Sequence, residues 1–140
     1  MIYVFEIKKT DEGYIAYIPD VDIETKPQET EEMACQAFME GFAGAIELKY
    51  RKKKQPIPLP NIKDGEYGFK IPIKLQLRIL LWNSMLDKHV SQTQLAEKLG
   101  ISRAYMNQFF ITDNVSVEKF EEALEALGYD VDVSLIKCEG

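Results

Sequence analysis

The stretch SQTQLAEKLGISRAYMNQFF, residues 91–110, reads as two short helices around a tight turn. Ser91 and Gln94 stand at capping-box spacing, where a hydroxyl and an amide satisfy each other's free backbone donors. Leu95, Ala96 and Leu99 fall on one helical face. Gly100 follows, where a left-handed residue ends a helix without a Cβ penalty. Ile101 fills the turn, and Ser102 caps a second helix from Arg103. On that helix Met106, Phe109 and Phe110 share an inward face, while Arg103, Ala104, Asn107 and Gln108 point elsewhere. Small Ala96 and Gly100 are expected to let the two helices cross closely, as a helix-turn-helix requires. A helical hairpin with a polar outer face is the plainer alternative. The caps, the glycine position and the polarity of the second helix together favour a DNA-reading motif.

Such a motif stands oddly in a 140-residue chain of formal net charge −6, because DNA is itself a polyanion. The distribution of charge answers part of the difficulty. Residues 1–71 carry ten Lys/Arg against thirteen Asp/Glu, residues 72–128 six against seven, and residues 129–140 one against three. The one charge on the reading helix, Arg103, is positive. DNA affinity follows the local field within a Debye length of about 8–10 Å, so whole-chain acidity weakens binding without forbidding it.

The composition, 46% hydrophobic and 11% aromatic, is ample for packed cores. No apolar run approaches transmembrane length, and the N-terminus lacks a signal-peptide pattern, so no membrane partner and a cytoplasmic location are expected. Cys35 and Cys138 lack metal-ligand spacing and no histidine cluster joins them. Free thiols, no metal and no cofactor are the expectation.

The N-terminal half alternates differently. Ile2–Ile7 and Tyr14–Ile18 are strand-like around an Asp-Glu-Gly turn, and Val21–Thr25 is a third, half-buried strand ended by Pro27. Thr30 caps a long helix with Glu31 and Glu32 in its first turn, where the dipole favours negative charge. Ala34, Phe38, Phe42, Ala45 and Ile46 make its buried stripe. The run KYRKKK, residues 49–54, reads as a solvated helix end. Three prolines in QPIPLPN break the chain, and Glu66–Ile71 returns as a strand, completing a βββαβ unit. Ile73–Lys88 is a helix with Leu75, Ile79, Trp82 and Leu86 on one stripe. Ser116 caps a last helix to Leu127, Gly128 stops it, and YDVDVSLIK, residues 129–137, alternates strictly. The expected fold is α+β: residues 1–71 form a small domain, and residues 72–140 form a helix-turn-helix domain ending in a dimerising strand.

The order of parts resembles the HicB family of antitoxins, in the branch with a C-terminal helix-turn-helix. GYIAYIPDV, ETEEMACQA, QPIPLP, FKIPIKLQL, the helix-turn-helix and EALEALGYDVDVSLI carry the resemblance along nearly the whole chain. It departs after Pro19-Asp20, where many relatives have a Pro-Gly-Cys-like turn and this chain has Asp22-Ile23-Glu24. The resemblance implies a partner, a HicA-type ribonuclease toxin. It implies that the N-terminal domain binds and blocks the toxin while the C-terminal domain represses the shared operon.

The site residues divide accordingly. For DNA, Arg103, Asn107 and Gln108 are candidates for base or phosphate contact and Ala104 for a thymine methyl, with Ser102 at the helix start. Gln92 and Gln94 are placed for the sugar-phosphate backbone. For the toxin, Tyr14, Tyr17, Pro19 and Asp20 mark the strand and turn. Tyr129, Val131, Val133 and Leu135, with Phe120 and Leu124 nearby, are expected to build a homodimer or higher even oligomer on an inverted-repeat operator. Asp11, Glu12, Asp20, Asp22 and Glu24 could in principle hold Mg²⁺ for phosphodiester chemistry, but turn and strand-surface positions favour solvated carboxylates and no enzyme. His89 has no nucleophile partner and reads as a loop residue. The second functional alternative is a stand-alone repressor with a ligand-sensing N-terminal domain.

Overall fold

The computed structural model describes residues 1–65 and 67–137. Glu66, at the head of the expected returning strand, and Cys138 lie outside the described residues. The fold is α+β, and the chain divides into two compact units, Met1–Trp82 and Asn83–Gly140.

The first unit is built on a four-stranded antiparallel sheet of order β3-β2-β1-β4. Strand β1 (Ile2–Thr10) pairs with β2 (Gly13–Ile18) in the register Glu6↔Tyr17 and Lys9↔Tyr14. It runs past the expected end at Ile7 because Lys8 and Lys9 have partners in the ladder. Strand β3 is only Ile23–Glu24. Val21 and Asp22, expected in it, belong to the preceding turn: the Asp22 N–H donates to the Pro19 carbonyl (3.2 Å) and Asp22 has φ 49°. Strand β4 (Tyr67–Lys70) pairs with the other side of β1.

Helix α1 (Glu31–Ile46) starts where the Thr30 hydroxyl accepts the Met33 N–H, and it buries Ala34, Phe38, Phe42 and Ile46. Phe5 stacks on Phe38 at 5.1 Å, and Phe69 meets Phe38 and Phe42 edge-on at 5.1 and 5.5 Å. Each of the buried rings Phe5, Phe38 and Phe42 contributes about 1.5–3 kcal/mol, and half-buried Phe69 less, which makes this cluster the centre of the unit. Tyr3 is fully buried beside Phe42, its hydroxyl donating to the Pro58 carbonyl at 2.5 Å. Burial holds that phenol well above its ordinary pKa.

Beyond Ile46 the helix widens into a π-turn over Glu47–Arg51. Lys52, Lys53 and Lys54 are exposed, but Lys49 and Tyr50 turn back to the β2–β3 turn. Helix α2 spans Ile73–Asp87, and the division between units falls inside it. In the first unit it buries Leu77, Ile79, Leu81 and Trp82, while Leu75 is only half-buried, so its inward face is not the expected single stripe. The Trp82 indole N–H donates to the Gln55 carbonyl at 2.9 Å.

In the second unit, α3 (Gln92–Leu99), α4 (Arg103–Ile111) and α5 (Val117–Ala126) pack around Leu95, Met106, Phe109, Phe110 and Phe120. Phe109 meets Phe120 edge-on at 5.1 Å. Helix α2 ends at Asp87, and in the turn that follows His89 adopts φ 55° while the Val90 N–H closes on the Met85 carbonyl at 2.9 Å. Residues 129–137 form no strand within one chain.

Candidate functional site

The pair of helices α3 and α4 is assembled by its caps. The Gln94 N–H donates to Ser91 Oγ (3.1 Å) and the Ser91 N–H to Gln94 Oε1 (2.9 Å), a complete capping box. At the turn, Gly100 has φ 67°, and the Ile101 N–H reaches the Ala96 carbonyl at 3.0 Å. The expectation that Gly100 lets the helices approach is corrected: a Cβ there would meet nothing within 4 Å. Its role is conformational, and Ala96, 2% exposed, is the small residue at the packed position. The Ser102 hydroxyl oxygen accepts the Tyr105 N–H at 3.0 Å, starting α4.

Arg103, Ala104, Asn107 and Gln108 are all exposed on α4, on the side away from buried Met106 and Phe109. At 3.6 residues per turn they share one arc. Ile111 falls in the middle of that arc and is 54% exposed. Sequence reading missed it, although the i, i+4 run Arg103–Asn107–Ile111 carried the signal. Gln92 is half-buried. Gln94 is exposed with its carbonyl oxygen already committed to the cap, so its amide NH₂ is the group left for a phosphate.

Charge is distributed otherwise than a boundary at residue 71 suggests. Lys74 and Arg78 fall in the first unit, which holds twelve Lys/Arg against thirteen Asp/Glu over residues 1–82. Residues 83–140 hold five against ten, a net of −5. Helix α5 supplies exposed Glu118, Glu121, Glu122 and Glu125, of which Glu122 pairs with Lys119 at 3.2 Å. The acid is therefore concentrated in the unit that carries α4.

The four candidate toxin contacts are not brought together on one surface. Tyr14 alternates with buried Ala16 and Ile18 on the helix-covered side of β2, whereas Tyr17 faces the other side. Tyr17 lies under Lys8, whose ammonium is 4.6 Å from the ring centroid, and its hydroxyl donates to Asp22 Oδ1 at 2.9 Å. That bond, then the Lys49 ammonium, holds the Asp22 carboxyl below its ordinary pKa. Pro19 and Asp20 are half-buried, and Asp20 Oδ2 accepts the N–H groups of both Asn61 (2.9 Å) and Ile62 (3.1 Å). Tyr50 Oη donates to the Val21 carbonyl at 2.6 Å. These acids fasten the turn.

Asp11, Glu12, Asp22 and Glu24 are exposed, and among the described residues no group of three His, Cys, Asp or Glu side chains could hold a metal ion. Burial, then Glu31 and Glu32, pushes the Cys35 thiol pKa up, away from nucleophilic thiolate.

Of the candidate dimer residues, Phe120 and Leu124 are 1% and 5% exposed inside the second unit. Tyr129 is half-buried, its hydroxyl donating to Asp87 Oδ2 at 2.8 Å and its ring under Lys88 at 5.2 Å. Val131 is half-buried, while Val133 and Leu135 are 78% and 98% exposed.

No family model matches the chain. It is similar to Antitoxin HicB 1 of Photorhabdus laumondii subsp. laumondii, 23% identical over 96% of this chain and 87% of that protein. Antitoxin HicB 2 of the same organism is 23% identical over 97% of each chain. Antitoxin HicB of Escherichia coli K12 is 21% identical over 89% of this chain and 91% of its own length.

Proposed function

We propose that this chain, which belongs to the HicB family, is the antitoxin of a toxin–antitoxin pair. In this reading the sheet domain, residues 1–71, neutralises a small HicA-type ribonuclease. The helix-turn-helix domain, residues 72–140, represses the chain's own operon as a dimer in the cytoplasm. The role is binding, without catalysis. No helix among the described residues is long and apolar enough to cross a membrane.

The observation that carries the reading is that similarity to proteins named antitoxins runs through both halves, over 89–97% of this chain. The geometry supports the DNA-binding part. A helix started by Ser102 presents Arg103, Ala104, Asn107 and Gln108 to solvent, and these side chains suit base edges and phosphates. A ligand-sensing alternative has no comparable support. The cleft in the sheet unit is about 230 Å³, below the roughly 300–1,000 Å³ of small-molecule sites.

The test is co-expression with the short reading frame next to this gene. The expected result is growth arrest by that product alone, rescue by the full chain, and co-purification of the two. Binding of operator DNA is read separately by titration. A neighbour that is harmless and fails to co-purify defeats the proposal.

A further inference from the structure

In the sheet unit β3 is an outer strand, bonded to β2 on one side. Between β3 and α1 lies a cleft of about 230 Å³, floored by Phe38 and Phe42 and walled by Ile23, Ala37 and Ala45. Gly41 also lines it, and Gly41 and the nearby Gly44 are both exposed in the interior of α1. Glycine is among the least favourable residues in a helix interior. A Cβ at either position would meet nothing within 4 Å, so no packing in this chain requires bare backbone there. Met33 and Leu48, near the two ends of the same face, are 44% and 61% exposed.

Exposed Glu24 and Lys26 line the cleft from the sheet side and offset each other, whereas the charge along α1 is polarised. Glu29, Glu31 and Glu32 are exposed at the start of α1, whereas Lys52, Lys53 and Lys54 are exposed past the π-turn at its far end. A near-neutral unit therefore has a distinctly acidic end beside an apolar cleft.

We infer that this cleft, rather than the Tyr14–Asp20 turn, is the surface on which the sheet unit receives its toxin, a small basic RNA-gripping protein. The inference rests on the antitoxin reading. A protein that holds RNA must present positive charge to phosphates, and the acidic head of α1 complements it. Bare backbone at Gly41 and Gly44 lets the partner approach closely, an apolar side chain fills the space over Phe38 and Phe42, and β3 offers an edge for strand addition. The turn is less suited, because the Asp20 and Asp22 carboxylates already serve Asn61, Ile62, Tyr17 and Lys49.

The experiment titrates the full chain with the protein encoded in the neighbouring reading frame. Gly41→Gln with Gly44→Gln should leave the melting temperature unchanged or raised, and should weaken binding at least about thirtyfold, the scale of an interface hot spot. Glu31→Lys with Glu32→Lys should slow association, most at low salt. A folded glutamine double variant that binds as tightly as the unaltered chain overturns the placement and leaves the antitoxin reading standing. Failure of the unaltered chain to bind overturns the antitoxin reading itself. Hydrogen exchange on the unaltered complex gives a readout without mutation: protection is expected over residues 23–28 and 37–45, and its absence there overturns the placement.

Discussion

Asp20 Oδ2 accepts the backbone N–H of Asn61 at 2.9 Å, and the same oxygen takes the Ile62 N–H at 3.1 Å. One carboxylate thus fixes the segment that leaves the proline-rich run, forty residues further along the chain in round terms. Hydrogen bonds to a charged acceptor contribute roughly 1.5–3 kcal/mol each when well sheltered, and Asp20 is half-exposed. Asp20→Ala should therefore destabilise the chain by about 1–2 kcal/mol in urea unfolding. Asp20→Asn, which keeps an acceptor oxygen, should cost less. Equal losses for both would mean that the charge, not the geometry, holds the segment.

Gly100 and Ser91 bracket α3, and each offers a separate probe of the motif. An alanine at φ 67° meets no neighbour, so Gly100→Ala isolates the left-handed backbone penalty, about 1 kcal/mol. Ser91→Ala removes the hydroxyl half of the capping box, also about 1 kcal/mol. Both should lower the unfolding midpoint of the helical unit while the folded fraction keeps its DNA affinity. A Gly100→Ala protein of unchanged stability would show that the turn adopts another conformation.

How much of this was legible in the sequence follows from the range of each interaction. The caps at Ser91, Gly100, Ser102 and Ser116 and the hairpin turn at Asp11-Glu12 are local, and each signal lies within a few residues of its effect. Tyr50 bonded to Val21, Lys49 to Asp22, and Asp20 to Asn61 join residues 27 to 41 positions apart, and no periodicity encodes them. They are why the β2–β3 turn, read as a partner surface, proves to be fastened from within. The π-turn was hidden for a related reason. Its residues have ordinary helical propensity, and its contacts, Lys49 to Asp22 and Tyr50 to Val21, are long-range. Burial of Phe120 and Leu124 inside their own unit was readable from the amphipathic pattern of α5, but that pattern does not say which apolar face meets which partner.

Electrostatics predicts a gain as well as a loss. Arg103→Ala should weaken operator binding by about 1–3 kcal/mol if the guanidinium reads a guanine. Glu121→Gln with Glu125→Gln reduces the acid on α5 and should tighten operator binding severalfold at low salt, with the gain fading at high salt as screening shortens the field. Toxin neutralisation should survive all three substitutions. Operator affinity indifferent to Arg103 would remove α4 as the reading helix.

The last prediction concerns the tail. Tyr129 is tied to Asp87 at the end of α2, after which Val133 and Leu135 stand 78% and 98% exposed. Residues 129–137 alternate apolar and polar, yet beyond Tyr129 they join no strand among the described residues. Extended backbone with open donors and acceptors and an uncovered apolar face is a template for another strand. The same segment of a second copy, antiparallel about a two-fold axis, covers both. Since Phe120 and Leu124 are internal, the seam would rest on Val131, Val133 and Leu135. Such a dimer presents two reading helices about 34 Å apart, requiring an inverted repeat, and two weak contacts become one avid one. That avidity matters for a unit of net charge −5 facing DNA. Val131→Asp with Val133→Asp in the full chain should halve the mass by light scattering and weaken operator binding at least tenfold, with Arg103 untouched, because the second half-site contact is no longer intramolecular. A double variant that stays dimeric and binds the operator normally would place the dimer contact elsewhere.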